Sequence, residues 1–308
     1  MNGSSFMMEG IRVKYLFLLA TSLTIATPAL AQEDFDLAQD NEQAQVAGTR
    51  RVPDEAITVV ASGSAQPISQ TGQSISVIGA AEIAAVQGPD LVRVLERLPG
   101  VSLARSGPLG SQTSLFLRGA NSQQVVVTLD GVRLADVAAP SGGFDLGTLM
   151  TGGIDKIELL RGSNSVVWGS DAIGGVLALS SAQINGVRAG IEYGANDTLT
   201  ADATLGISGN GYGLTVSGGH VRSDGISAYA PGTEADGFRQ WHGSLRGYAS
   251  LTDSLSLVAA ARYADSRVDF DGFPPPLYSF ADTPEYQTTR QGSGRVGLDY
   301  DGESVTLK

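Results

Sequence analysis

The chain has 308 residues, enough for two ordinary domains, with a formal charge of −12 and a pI near 4.5. That balance leaves no basic face for nucleic acid, and the absence of cysteine excludes a disulfide framework, a thiolate metal site and a cysteine nucleophile. Glycine is over-represented at 40 residues, which calls for many tight turns or closely packed strands.

Residues 1–31 read as an export signal. Arg12 and Lys14 form a basic start, "YLFLLATSLTIA" an apolar core, and Ala29 to Ala31 the small residues of a cleavage site, with Met8 the expected initiator. The core is shorter than the ~20 residues of a spanning helix, and no later run approaches that length. The mature chain is therefore expected to be soluble or to cross a membrane with strands. Residues 32–53 are a polar, acidic arm that cannot bury enough surface to fold. Residues 54–62, "DEAITVVAS", are a β-prone island: either the first strand of the next domain or a segment held out for a partner to pair with.

Residues 63–182 read as one compact α+β domain. "SISVIGAAEI" predicts an alternating strand and a start signal. "GPDLVRVLERLPGV" predicts a helix with Pro89 at its first position, Asp90 in its first turn and Leu91, Val94, Leu95 and Leu98 on one face. "TSLFLRG", "QVVVTLDGVRLAD" with its Asp-Gly turn, and "DKIELLRG" predict three strands. "RGSNSVVWGSDAIGG" has the glycines and serines of a phosphate loop, but no Lys-Ser/Thr follows and no helix is signalled.

From about residue 186 the pattern changes to segments of about ten residues with period two. "VRAGIEYG", "TLTADATLGIS", "YGLTV", "LSLVAAARYAD" and "GRVGLDY" alternate apolar residues with Gly, Ser, Thr, Asp and Arg. Short turns ("ANDT", "GNG", "LTDS") alternate with long loops ("RSDGISAYAPGTEADGF", "ADSRVDFDGFPPPLYSFADTPEY"). This is the pattern of an outer-membrane barrel; a soluble β-sandwich shares the alternation. With only His220 and His242, no nucleophile elbow and no phosphate-binding Lys motif, an enzyme is not expected; "GSGRVG" lies inside an alternating strand, outside any βαβ unit.

Taken in order, "ITVVAS", "LVRVLERLPGV", "LFLRG", "VVVTLDGVRL", "IDKIELLRG" and "VVWGSDAIGGV" closely resemble a TonB-dependent outer-membrane transporter, from residue 54 to the end. The resemblance implies an α+β globular plug domain (63–182) followed by an antiparallel transmembrane β-barrel of which residues 183–308 hold the first strands. It implies a TonB box at Ala56, Ile57, Thr58, Val59, Val60, Ala61 and Ser62, which pairs with the periplasmic energy-coupling protein TonB. It implies a plug–barrel latch at Arg118 and Arg161, with glutamate partners on the barrel wall. Ser163, Trp168 and "LALSS" depart from the family's commoner residues.

Within the family, the loops look most like those of cobalamin transporters. That likeness implies a corrinoid as the small-molecule nutrient, contact with it at Pro140, Ser141 and Gly142, and calcium held by Asp224, Glu234, Asp236, Asp265, Asp269 and Asp271. A siderophore receptor and a non-transport surface-binding protein or passive pore are the alternatives. Such transporters have ~22 strands, whereas residues 186–308 hold about seven, so the chain is expected to be part of a longer one whose remaining strands face outer-membrane lipid and carry the latch glutamates.

Overall fold

The computed structural model describes residues 58–59, 66–68, 71–138, 142–302 and 306–307. The export signal, the acidic arm and Ala56, Ile57, Val60, Ala61 and Ser62 of the β-prone island lie outside the described residues. Of that island, Thr58–Val59 (β1) pairs antiparallel with Gln66–Pro67 (β2), Thr58 opposite Pro67 and Val59 opposite Gln66.

The globular part begins at β3 (Ser74–Gly79), which runs directly into α1 (Ala80–Ala85), so "AAEIAA" is a helical turn rather than a strand continuation. The predicted helix is α2 (Leu91–Leu95), which starts two positions after the expected Pro89. Asp90 has extended backbone and caps the helix, its Oδ1 accepting from the Val92 N–H at 3.0 Å, and Pro89 stands outside. The Asp90 carboxylate also holds Arg105 through two bonds of 2.7 and 3.0 Å, which ties the helix start to the strand pair β4 (Val101–Arg105) and β5 (Thr113–Leu117).

The Asp130-Gly131 turn joins β6 (Val125–Leu129) to β7 (Val132–Leu134), with φ of 51° and 76° at its two residues. β8 (Ile154–Arg161), a one-turn helix α3 (Ser165–Trp168) and β9 (Gly175–Ser181) follow; no helix was expected after Arg161. These strands form a five-stranded sheet in the order β3-β8-β9-β6-β7, in which only β6 and β9 run parallel. α2 lays Leu91, Val92, Val94 and Leu95 against Leu117, Ile157, Leu159, Leu177 and Leu179, all at most 2% exposed. At Gly175 the φ is +152° and a side chain would collide with the Leu160 carbonyl, so this glycine is required by the approach of β9 to β8.

The second part is a seven-stranded antiparallel meander: β10 (Gly186–Gly194), β11 (Thr198–Gly209), β12 (Tyr212–Ser223), β13 (Phe238–Ser250), β14 (Leu255–Gly272), β15 (Ala281–Asp301) and β16 (Thr306–Leu307). β15 starts well before the predicted "GRVGLDY" strand, because "ADTPEYQTT" continues the ladder that β14 offers it. "GSGRVG" lies in β15. The Ala195–Asp197 turn stands at the same end as the loops 224–237 and 273–280, where β11 and β12 pair Leu199 with Arg222. Among the described residues no helix is long and apolar enough to cross a membrane.

Alternation sorts the strands into two faces. Val187, Ile191, Leu205, Val216, Leu245, Leu257, Tyr263, Val296 and Leu298 lie exposed on one. Thr200, Thr204, Ser217, Gln240 and Ser266 are buried on the other, against the globular domain. The contact between domain and wall is largely polar: Gln240 Nε2 donates to the Thr148 carbonyl at 2.8 Å, and the Glu192 carboxylate accepts from the Gly88 N–H at 3.2 Å, beside one apolar cluster in which Leu109 and Met150 of the domain meet Val221, Phe238 and Val268 of the wall. His242 Nε2 lies 3.2 Å from Asp202 Oδ1 directly over Gly152, where any side chain would strike that carboxylate.

The principal seat is Asp130. Its Oδ1 accepts from the Ser181 N–H at 2.9 Å and from Arg246 Nη1 of the wall at 3.1 Å, and the same Nη1 donates to the Ser181 carbonyl at 3.3 Å. The Asp130 side chain is 6% exposed, so breaking this arrangement strands a buried N–H and a guanidinium. A Ser181→Cys reporter in this cysteine-free chain should label with maleimide about 10- to 100-fold faster in urea once Asp130 becomes Asn, equivalent to about 1.5–3 kcal/mol. Asp155→Asn, which breaks the exposed pair with Arg188, should change the rate by less than about fivefold. Equal effects of the two substitutions would show that Asp130 does not seat the domain.

Candidate functional site

Three assemblies of polar residues lie outside the hydrophobic core. The first is a cavity of about 270 Å³ between the domain's apex and β15, lined by Ser114, Asp136, Gly142, Phe144, Asp145 and Gln287. β5 presents Ser114, β15 presents Gln287, and the segment from Asp136 to Asp145, in which the Asp136 N–H donates to the Gly143 carbonyl at 3.2 Å, presents the rest. Asp145 Oδ1 accepts from the Thr113 and Gly147 N–H groups at 2.8 and 2.9 Å; burial raises its pKa, and those two donors offset part of the rise. The cavity therefore offers hydroxyl, amide and carboxylate groups around a glycine turn. Gly142 of the expected substrate contact is in its lining, while Pro140 and Ser141 lie outside the described residues.

The second assembly is acidic and divides the six carboxylates read from the sequence. Asp224, Asp265 and Asp269 are each held by an arginine, Arg222 at 3.0 Å, Arg290 at 3.0 Å and Arg267 at 2.8 Å. Glu234, Asp236 and Asp271 do converge, and they are joined by Asp282. Ligand oxygens of Glu234, Asp271 and Asp282 lie within 4.8 Å of one another. Asp271 accepts from the Tyr229 N–H at 2.7 Å and the Thr283 N–H at 3.0 Å, and Asp236 from the Ala228 N–H at 2.6 Å. Those bonds leave Glu234 Oε2, Asp236 Oδ1 and Asp282 Oδ1 buried without a hydrogen-bond donor. Burial raises the pKa of Glu234, and the surrounding carboxylates add to the rise; Asp236 is raised by burial and by Asp271. Asp282 was not anticipated. It lies 48 residues beyond Glu234 in a segment that reads as loop, and backbone bonds from the Thr233 and Glu234 N–H groups, at 2.8 and 3.4 Å, bring it to the other loop.

The third is cationic. Arg118, at a φ of +48°, and Arg161 both donate to Ser74 Oγ, at 3.0 and 3.2 Å. Arg161 also donates to the Pro99 carbonyl at 2.7 Å and to Ser76 Oγ. Neither guanidinium meets a carboxylate among the described residues, and burial, then Arg118, lowers the Arg161 pKa. Two adjacent like charges, one of them 8% exposed, form a site for an anion.

Residues 67–176 match the family model described as the TonB-dependent Receptor Plug Domain. Over 225 residues, 70% of this chain and 36% of the relative, the sequence is 30% identical to the vitamin B12 transporter BtuB of Vibrio vulnificus (strain CMCP6). The fold is similar to the ferric yersiniabactin uptake receptor FyuA from Yersinia pestis, with a TM-score of 0.56 at 20% identity over 76% of this chain and 39% of that one. It is similar also to the ferric-catecholate import receptor Fiu from E. coli K12, with a TM-score of 0.60 at 15% identity over 78% and 38% of the two chains. The chain thus spans about a third of the length of the curated relative it matches. With a plug domain seated on the polar face of an outward-apolar antiparallel meander, the chain belongs to the TonB-dependent receptors, of which it holds the plug and the first barrel strands.

Proposed function

We propose that the receptor containing this chain takes up cobalamin or a related corrinoid across the outer membrane, driven by TonB. The likeness to a vitamin B12 transporter carries this reading, because it runs through the plug and into the barrel strands at 30% identity. The apical cavity, with Gly142 and its amide and hydroxyl lining, is the plug's share of the ligand cup. The solved structures support the fold alone, and their ferric-chelate names supply the second reading. Cells lacking their own corrinoid receptor and expressing the full gene should accumulate labelled cyanocobalamin and not a ferric catecholate; accumulation of the ferric chelate alone would replace the first reading by the second.

TonB contact falls on the segment around Val59, by strand addition through main-chain bonds. The short ladder to Gln66–Pro67 occupies Thr58 and Val59, so the partner has to replace it. Val59→Pro, which removes a donor and fixes φ, should abolish capture by the periplasmic domain of TonB, whereas Val59→Ala should reduce it about threefold or less. Equal capture of both variants would overturn the assignment.

Calcium fits the acidic loops. The residues that would hold it are Glu234, Asp236, Asp271 and Asp282, hard oxygen donors of which three have a buried, unbonded oxygen. The ion would neutralise the cluster and pin loop 224–237 to the end of β14 and the start of β15. Arg118 and Arg161 are the proposed latch, awaiting carboxylates of the wall.

The sign of the pH effect follows from the raised carboxyls. A folded-state pKa above the unfolded one means that stability falls as pH rises between the two, so at neutral pH the full repulsion is present and calcium relieves it. Saturating calcium should raise the melting temperature at neutral pH by the equivalent of about 2–3 kcal/mol. The increment should shrink as pH falls through the raised pKa of Glu234 and Asp236, and should vanish in Asp236→Asn/Asp282→Asn. An increment independent of pH, or unchanged in the double variant, would exclude the site.

A further inference from the structure

The outward face of the barrel strands changes character abruptly toward the loop end. Val216 and Leu245, paired across β12 and β13, are 43% and 37% exposed and belong to the apolar band. Four residues further, His220 and Trp241 are cross-strand partners whose rings stack at 4.1 Å, with Trp241 64% exposed. An outward tryptophan at this height marks the membrane–water interface. Two residues beyond, ~7 Å along the strands, the register places Arg222 opposite Arg239 and Arg239 opposite Arg267. Three guanidinium groups thus stand side by side on β12, β13 and β14, rooted ~5 Å apart, in a chain of net charge −12.

Like charges directly opposite across a ladder destabilise a sheet unless something offsets them. The two flanking arginines have an offset within their own strands or loops. Arg222 binds Asp224 at 3.0 Å; Arg267 binds Asp269 at 2.8 Å and lies over the Tyr286 ring at 3.9 Å. Asp265, the other carboxylate on this face, is held by Arg290 at 3.0 Å. Arg239, the central one, has neither an acceptor nor a ring among the described residues, and it is exposed. A cavity of about 660 Å³ opens above the row, floored by Arg222, Arg239 and Arg267 and covered by the Ala235–Gly237 end of the loop.

We propose that the Arg222–Arg239–Arg267 row binds the phosphate-monoester headgroup of a lipid in the outer leaflet. A phosphate monoester brings close to two negative charges and three acceptor oxygens, which suits guanidinium groups that donate in pairs. Two carboxylates stand at the rim against three arginines, so one net positive charge is unmet, at Arg239. The source is a lipid rather than a dissolved anion because the same face continues through Trp241 into Leu245 and Val216, giving acyl chains an apolar surface beside the headgroup.

The test uses the full gene product, delipidated in detergent and examined by native mass spectrometry after exposure to phosphatidic acid, to phosphatidylcholine, or to phosphatidic acid with an excess of inorganic phosphate. The wild type should retain one phosphatidic acid in clear preference to phosphatidylcholine, and inorganic phosphate should not displace it. Arg239→Gln should lower retention by about tenfold or more, while Arg290→Gln on the same face should leave it unchanged. Unchanged retention in Arg239→Gln, equal retention of phosphatidylcholine, or displacement by inorganic phosphate would each overturn the proposal. The three wild-type arms decide it even if a variant fails to assemble in the membrane.

Discussion

A strand that crosses lipid has to satisfy every backbone N–H and C=O within its own sheet, because the hydrocarbon offers no partner and each unmet group costs several kcal/mol. Along each edge shared between neighbours from β10 to β15 the ladders meet this demand, with a single irregularity between Phe270 and Gly272 at the loop end. Once the backbone is committed to continuous pairing, side chains are left only two directions. The outward set must be apolar, and the inward set is free to be polar. Most of what the plug meets is therefore polar wall, Glu192, Gln240, Arg246 and Arg262, with one apolar patch where Leu109 and Met150 pack on Val221, Phe238 and Val268. The plug is held by hydrogen bonds, one buried ion pair and that small apolar patch, and the polar parts can be re-solvated if the two surfaces part. An apolar seat of the same area would be far harder to separate.

The same economy of direction concentrates charge. Inside the plug, apolar residues fill the space between α2 and the five-stranded sheet, so Arg118 and Arg161 are pushed together beside Ser74. In the loops, Glu234, Asp236, Asp271 and Asp282 converge because the ends of β13, β14 and β15 bring their connections together. On the outer wall three arginines share one row because their strands are in register. In each case like charges have been brought closer than their own energetics favour. A native protein tolerates such clusters where a counter-charge arrives from elsewhere.

Features of period two and of turn chemistry were legible in the sequence. β10, β11 and the Asp130-Gly131 turn are where the alternation and the Asp-Gly pair predict them, and Leu91, Val94 and Leu95 lie on the buried side of α2, with Leu98 buried just beyond its end. Where the reading was off, a tertiary partner decides the local structure. "AAEIAA" carries no cap, since the Gly79 side cannot provide one, and it is helical where it packs on β8. "ADTPEYQTT" looks like loop but is strand, because β14 runs eighteen residues and supplies a ladder for it. Asp282 was hidden by the same error. The pairing of Asp130 with Arg246, 116 residues apart, was beyond reach: alternation turns Arg246 inward, but which plug residue it meets depends on how the plug docks.

The stretch "RGSNSVVWGSDAIGG" shows how local chemistry and long-range function are joined. β8 and β9 are antiparallel neighbours, so the chain must reverse between Arg161 and Gly175 while staying beside the sheet. Gly162 donates to the Gly174 carbonyl at 3.0 Å and Asn164 to the Ala172 carbonyl at 2.8 Å, which closes the reversal with main-chain bonds and buries Ala172. The single turn of α3 takes up the remaining length and turns Val166 fully outward. The Arg161 side chain is held by Ser74, Ser76 and Pro99 with no carboxylate of the plug to neutralise it. The glycines here supply the tight turning a phosphate loop would ask of them, while the arginine at the start of the stretch is held by serines of β3.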